Sequence, residues 1–215
     1  MIRYDRRTRL LAAALSALAG YIDAIGFMAS GGFFISFMSG NSTKLGVGLA
    51  TLSADARTAA GLIATFLIGV VLGSMLGSYS EPHRRSAVLL LVTVTIVAAA
   101  SCAASGFLAA GLVLTALAMG AENAVFEEDG EIRIGLTYMT GTLVKLGQRL
   151  AAAARGGARW GWAPYLVQWC GLLCGAIAGA FAYSRIGMAS LWWASAAAAA
   201  SLAVAWLLER PRATA

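Results

Sequence analysis

Long apolar runs alternate with short polar interruptions along the whole chain. Leu10–Ile22, Ala59–Tyr79, Ala87–Ala104, Phe107–Met119, Tyr165–Tyr183 and Met188–Leu208 carry few or no charges. Several approach the roughly 20 residues that cross a bilayer's hydrocarbon as a helix. The pattern predicts six spans, at about 9–28, 59–80, 86–104, 106–126, 162–184 and 188–208. Two more segments, 40–52 and 141–155, read as helices of 13 to 15 residues. At 1.5 Å per residue they are too short to cross alone. Each opens on a hydroxyl-rich decapeptide, FMSGNSTKLG (Phe37–Gly46) in the first case and YMTGTLVKLG (Tyr138–Gly147) in the second.

Three blocks recur in the same order. Gly20, Asp23 and Ala24 match Gly120, Asn123 and Ala124 at an offset of 100. Met38-Ser39-Gly40 and Lys44-Leu45-Gly46 match Met139-Thr140-Gly141 and Lys145-Leu146-Gly147 at 101. Gly69, Gly73 and Gly77 match Gly171, Gly175 and Gly179 at 102. The expected fold is an all-α integral membrane protein, one membrane domain built of two internal repeats, residues 1–104 and 105–215. Each repeat supplies three transmembrane helices plus a re-entrant or broken short helix, an organisation found in transporters. The glycine stripes predict close helix packing, within a repeat in preference to a homodimer contact.

Basic residues set the expected orientation. If the short helices are re-entrant and the repeats inverted, Arg84, Arg85, Arg155, Arg159, Arg210 and Arg212 fall on the same side as the Arg-rich N-terminus. Eight parallel crossings would instead place Arg84 and Arg85 outside, against the positive-inside tendency. A bacterial inner-membrane protein with both termini cytoplasmic is therefore expected. Arg6, Arg7 and Arg9 before an apolar run imitate a secretory leader, but Gly20 onward belongs to the repeat, and an uncleaved first span is expected.

Composition agrees: 60% of the 215 residues are hydrophobic and 12% charged, against roughly 25% charged in a soluble domain. The net charge of +6 is spread over termini and short loops, so a nucleic-acid partner is not expected. Cys102, Cys170 and Cys174 lie in apolar segments and His83 in a polar loop. No metal site, cofactor or catalytic arrangement follows, and the chain is not expected to be an enzyme. The insert VFEEDGEIRIGL (Val125–Leu136) carries a hairpin signal around Asp129-Gly130 and is expected as a solvated loop. Trp160, Trp162, Tyr79 and Tyr183 fit interfacial belts.

The candidate chemistry sits in the decapeptides. A helix beginning inside a bilayer has four backbone N–H groups without intrahelical partners, and lipid offers them none. Ser39, Asn41, Ser42, Thr43, Thr140 and Thr142 are residue types that cap such ends, with Gly40 and Gly141 allowing a sharp turn. Capping leaves Lys44 and Lys145 unexplained, because a cation is disfavoured in a first helical turn. The intramembrane carboxylates available to them are Asp23 and Glu122; Asp23 is matched by Asn123, and Glu122 by Ile22. Two functions use these parts. In one, the half-helix N-termini and lysines face a shared cavity, and the chain is a transporter or channel for a small polar solute or ion, anionic or carboxylated, with Asp23 and Glu122 as coupling groups. In the other, lysines and carboxylates form structural ion pairs in a non-transporting scaffold or assembly protein.

GYIDAIGF, FMSGNSTKLGVGLA and LTYMTGTLVKLGQRLA resemble the YoaK family of bacterial inner-membrane proteins, and the resemblance runs over nearly the whole chain. It implies a multi-pass inner-membrane protein of about this length and supplies no substrate.

Overall fold

The computed structural model describes residues 5–128 and 130–210. Eight α-helices follow one another: α1 (Arg6–Ala29), α2 (Met38–Ala50), α3 (Asp55–Tyr79), α4 (Arg84–Ala104), α5 (Leu108–Glu122), α6 (Met139–Ala154), α7 (Ala163–Ile186) and α8 (Leu191–Glu209). Asp5 caps α1 by accepting a 3.0 Å hydrogen bond from the Thr8 amide. Pro164 falls in the first turn of α7, where its missing N–H is not needed. Five helical stretches are long and apolar enough to cross a membrane, the fifth being Ala163–Glu209. Gly187, at φ +57°, divides that stretch into α7, one 3-10 turn and α8.

Contacts along the helices fix their directions. Gly171, Gly175 and Gly179 of α7 lie against Ala13, Ala17 and Tyr21 of α1, so both helices advance together. Gly69 and Gly73 of α3 lie against Leu117 and Ala121 of α5 in the same way. α4 and α8 run oppositely: Glu209 meets the α4 N-terminus at Arg85 and Ser86, while Leu191 and Met188 join Ala99 and Ala100 at its other end. Ile25 of α1 belongs to that same cluster, which aligns α1 with α4. Thus α1, α4 and α7 point one way and α3, α5 and α8 the other.

The glycine stripes are used inside the chain, but not within one half of it. α1 packs on α7 and α3 on α5, so the expectation of contact within each repeat is corrected: the glycines join the first hundred residues to the second. A Cβ on Gly20, Gly69, Gly120 or Gly175 would overlap a backbone carbonyl oxygen of the facing helix. Side chains can rotate aside; a helix backbone cannot, so only glycine permits this approach.

Large apolar side chains face outward, including Leu67, Ile68, Val71 and Met75 on α3 and Ile177 and Phe181 on α7. The buried core gathers Leu11, Leu15, Ile22, Leu89, Ile96 and Met119 between helices. An exterior this apolar needs hydrocarbon around it, and the molecule is a multi-pass membrane protein. After α5 a 3-10 turn (Asn123–Phe126) leads into a hairpin of β1 (Glu127–Glu128) and β2 (Glu131–Ile132), Glu127 opposite Ile132; Asp129 lies outside the described residues. The expected solvated insert is only partly that. Val125, Phe126, Ile134 and Leu136 are buried and wedge its two ends into the bundle.

Gly175→Ala should destabilise the protein by about 1–3 kcal/mol, the usual cost of overpacking. Gly147→Ala, with open space around it, should be neutral or slightly stabilising, and thermal melting in detergent separates the two.

Candidate functional site

The geometry around the decapeptides begins with Asp23, near the end of α1. Its Oδ1 accepts the Ile35 and Ser36 amides at 2.6 and 2.7 Å, and its Oδ2 accepts the Ser36 hydroxyl at 2.9 Å. One carboxylate therefore satisfies two backbone N–H groups of the linker that delivers the chain to α2. Asn41, fully buried, holds the same linker from the other side. Its Oδ1 accepts the Phe34 amide at 3.0 Å and its Nδ2 donates to the Phe34 carbonyl at 2.6 Å.

A lighter version of this latch recurs at the end of α5. The Asn123 Oδ1 accepts the Thr137 hydroxyl at 3.1 Å, and its Nδ2 donates to the Met119 carbonyl at 2.9 Å. Thr137 stands 101 residues after Ser36, as Asn123 stands 100 after Asp23.

The decapeptide hydroxyls are not caps. α2 and α6 begin at Met38 and Met139, after Phe37 and Tyr138, neither of which makes a side-chain capping hydrogen bond. The helices therefore start before the polar residues. Ser42, Thr43 and Thr142 instead donate back to the carbonyls of Met38, Ser39 and Tyr138, at 2.8, 3.2 and 3.1 Å, as such side chains do inside a helix. Gly40 packs beneath Phe34 and Phe37, where a Cβ would come within 2.8 Å of a ring carbon, whereas Gly141 faces open space.

The lysines and carboxylates do not meet. Lys44 places its Nζ 4.7 Å from the Phe33 ring centroid, and Lys145 is exposed. Among the described residues neither lysine has a carboxylate within ion-pair distance. Glu122 is wholly buried, and among the described residues neither of its oxygens has a hydrogen-bond partner. The largely buried ion pair is elsewhere: Arg84, at the start of α4, lies 3.5 Å from Glu127, which also accepts the Ser74 hydroxyl of α3. Glu209 completes this end by accepting the Arg85 and Ser86 amides.

Two cavities adjoin the starts of α2 and α6. The larger, about 650 Å³, lies between Ser36–Ser39, Tyr138–Gly141 and the middle of α3 at Phe66, Leu67 and Val70, with Asn123 and Thr140 at its wall. The smaller, about 400 Å³, is bordered by Asp23, Phe27, Phe34 and the middle of α7 at Leu172 and Ala176. Ser36, Phe37, Thr137 and Met139 line both and form the partition. The first turns of α2 and α6 are thereby level with the midpoints of α3 and α7. Lys44, Lys145, Glu122 and Thr43 border neither cavity.

Residues 11–205 match the family model described as protein of unknown function DUF1275. The chain belongs to the DUF1275 family. It is 37% identical over 202 residues to the UPF0700 transmembrane protein RA0705 of Rhizobium meliloti (strain 1021), covering 93% of this chain and 87% of that one. No solved structure matches. The YoaK-type resemblance read from the two decapeptides thus holds at the level of family.

Three parts of this DUF1275 site were missed in the sequence. Ser36 and Thr137 sit one residue before the decapeptides, in corresponding places, and that correspondence was their signal. Phe34 had none. Ser16 and Gln168 are polar residues within apolar runs, which is a signal: Ser16 donates to the Leu136 carbonyl at 3.0 Å and Gln168 to the Gly135 carbonyl at 2.8 Å, seating the linker before α6 between α1 and α7.

Asp23→Ala should cost roughly 1–3 kcal/mol for each amide left unsatisfied and speed hydrogen exchange at the Ile35 and Ser36 amides. Asp23→Asn, which keeps an acceptor oxygen as Asn123 does, should lose less. Melting curves and exchange mass spectrometry measure both.

Proposed function

We propose that the polar chemistry of this chain is structural first, and that the protein is a non-transporting membrane scaffold. The observation carrying this reading is that Asp23, Asn41 and Asn123 spend their hydrogen bonds on the chain's own linkers. The Arg84–Glu127 pair and Glu209 do the same between helix ends. The architecture proposed with it is two inverted repeats, each of three crossings and one re-entrant half-helix, in the bacterial inner membrane with cytoplasmic termini. Three helices each way, and half-helices level with the midpoints of α3 and α7, support it. So does the clustering of Arg6, Arg7, Arg9, Arg84 and Arg85 at one end of the bundle.

A second reading, passage of a small solute, is favoured by one specific observation: the two cavities on either side of a shared partition, beside the middles of α3 and α7. Their volumes lie within the usual range of ligand sites. The lysines on which an anionic solute would depend lie outside both cavities, so this reading fits a solute that needs no basic partner.

Flux into proteoliposomes decides between the two. The scaffold reading expects small neutral, cationic and anionic solutes to enter no faster than into protein-free vesicles. Entry above that level, lost in Leu67→Trp, which fills the larger cavity, would replace it with the second reading. Orientation has its own measurement in a chain freed of its native cysteines. Ser53→Cys should label from outside and Ser80→Cys from the cytoplasm, the reverse of what eight full crossings would give.

A further inference from the structure

We propose that the smaller cavity is a binding site for an organic ammonium group, with Asp23 as its counter-charge. The proposal rests on the premise of the second reading, that the cavity admits a solute, and does not require that the solute cross.

Charge comes first. Among the described residues Asp23 is the one acidic side chain bordering either cavity, and no lysine, arginine or histidine borders them. Its partners are two amides and a hydroxyl, all neutral, so the latch itself supplies no counter-charge. Among the described residues no basic side chain lies within ion-pair distance of it. The residue is half-buried and borders the cavity, so its field reaches a cation held there although its oxygens are turned to the linker. A carboxylate at this depth is unfavourable unless something balances it, and a cation entering the cavity does so.

Shape and lining narrow the class. Phe27, Phe34 and Phe37 border the same space. Their rings form a contiguous group, with Phe27–Phe34 centroids 5.0 Å apart and Phe34–Phe37 centroids 5.2 Å apart at an 80° edge-on angle. Aromatic faces attract alkylammonium ions through the ring quadrupole, and Met28 and Met139 add soft apolar surface. A small inorganic cation would find too few oxygen ligands, since three of the carboxylate's acceptor positions are already engaged. An ammonium carrying an apolar body uses the aromatic wall and the charge together. The larger cavity has Asn123 where the smaller has Asp23, so it lacks the counter-charge.

Titration calorimetry of the purified full chain tests this with benzyltrimethylammonium, benzyl alcohol and phenylacetate as probes. The expected result is one ammonium per chain, benzyl alcohol about tenfold weaker or worse, and no phenylacetate binding. Asp23→Asn should weaken the ammonium at least about tenfold while the melting curve reports a folded protein. Should that variant not fold, Phe34→Leu carries the test, because Asn41 grips only the Phe34 backbone; it should weaken the ammonium and spare benzyl alcohol. Equal binding of ammonium and alcohol, indifferent to both substitutions, would overturn the ammonium assignment and leave the cavity as a solute site. Failure of all three probes to bind would overturn the assignment, while the second reading would still stand or fall on the flux measurement.

Discussion

A helix that begins in the middle of a bilayer must bring its own hydrogen-bond partners, because hydrocarbon supplies none. In the proposed architecture that demand arises twice. At the end of α1 a carboxylate accepts the linker amides at Ile35 and Ser36; at the end of α5 an amide side chain accepts the Thr137 hydroxyl. With the linkers held, α2 and α6 start level with the middles of α3 and α7, and the space beyond their first turns becomes the two cavities. The close approach of α1 to α7 and of α3 to α5, made possible by facing glycines, walls that space.

The two latches differ in chemistry. Asp23 is an acid whose partners supply no counter-charge; Asn123 is an amide that never carries charge. The other acidic group of the membrane interior, Glu122, is enclosed without partners among the described residues and borders neither cavity, so it contributes nothing to their chemistry. The lysines, which in the sequence look like the centre of the site, lie on an aromatic ring and on the exterior.

The spans and the two short helices were legible because apolar runs of membrane length have few alternative explanations. The recurrence of Asp23 and Asn123 before matching decapeptides was legible too. What the two residues hold was not, because their partners are mostly backbone atoms and the neighbouring hydroxyls Ser36 and Thr137, and backbone leaves no mark in composition. The hydroxyls looked like caps because the helices were expected to start at Gly40 and Gly141. They start two residues earlier, which moves those side chains into the helical turn. The glycine stripes misled differently. A four-residue repeat resembles itself after one turn, so pairing Gly69 with Gly171 looked natural. In the structure Gly69 faces Leu117 as Gly175 faces Ala17, one helical turn further along. The partner helices lay in the opposite half for a related reason: a stripe of small residues tells that a backbone comes close, and not whose.

The packing of α1 on α7 also governs how the molecule is made. During synthesis α1 enters the membrane well before its partner exists, since Gly20 lies against Leu172, and ribosomes add residues at about 5–20 per second. α1 therefore waits roughly 8–30 s with its glycine face against lipid. Asp23 does not share that wait: its partners at Ile35 and Ser36 follow within a few residues. The most awkward group on the helix finds its hydrogen-bond donors locally, while Ser16, a milder one, is left for Leu136. Neither half of the sequence is a unit of biogenesis, and the bundle closes only when the ribosome has nearly finished.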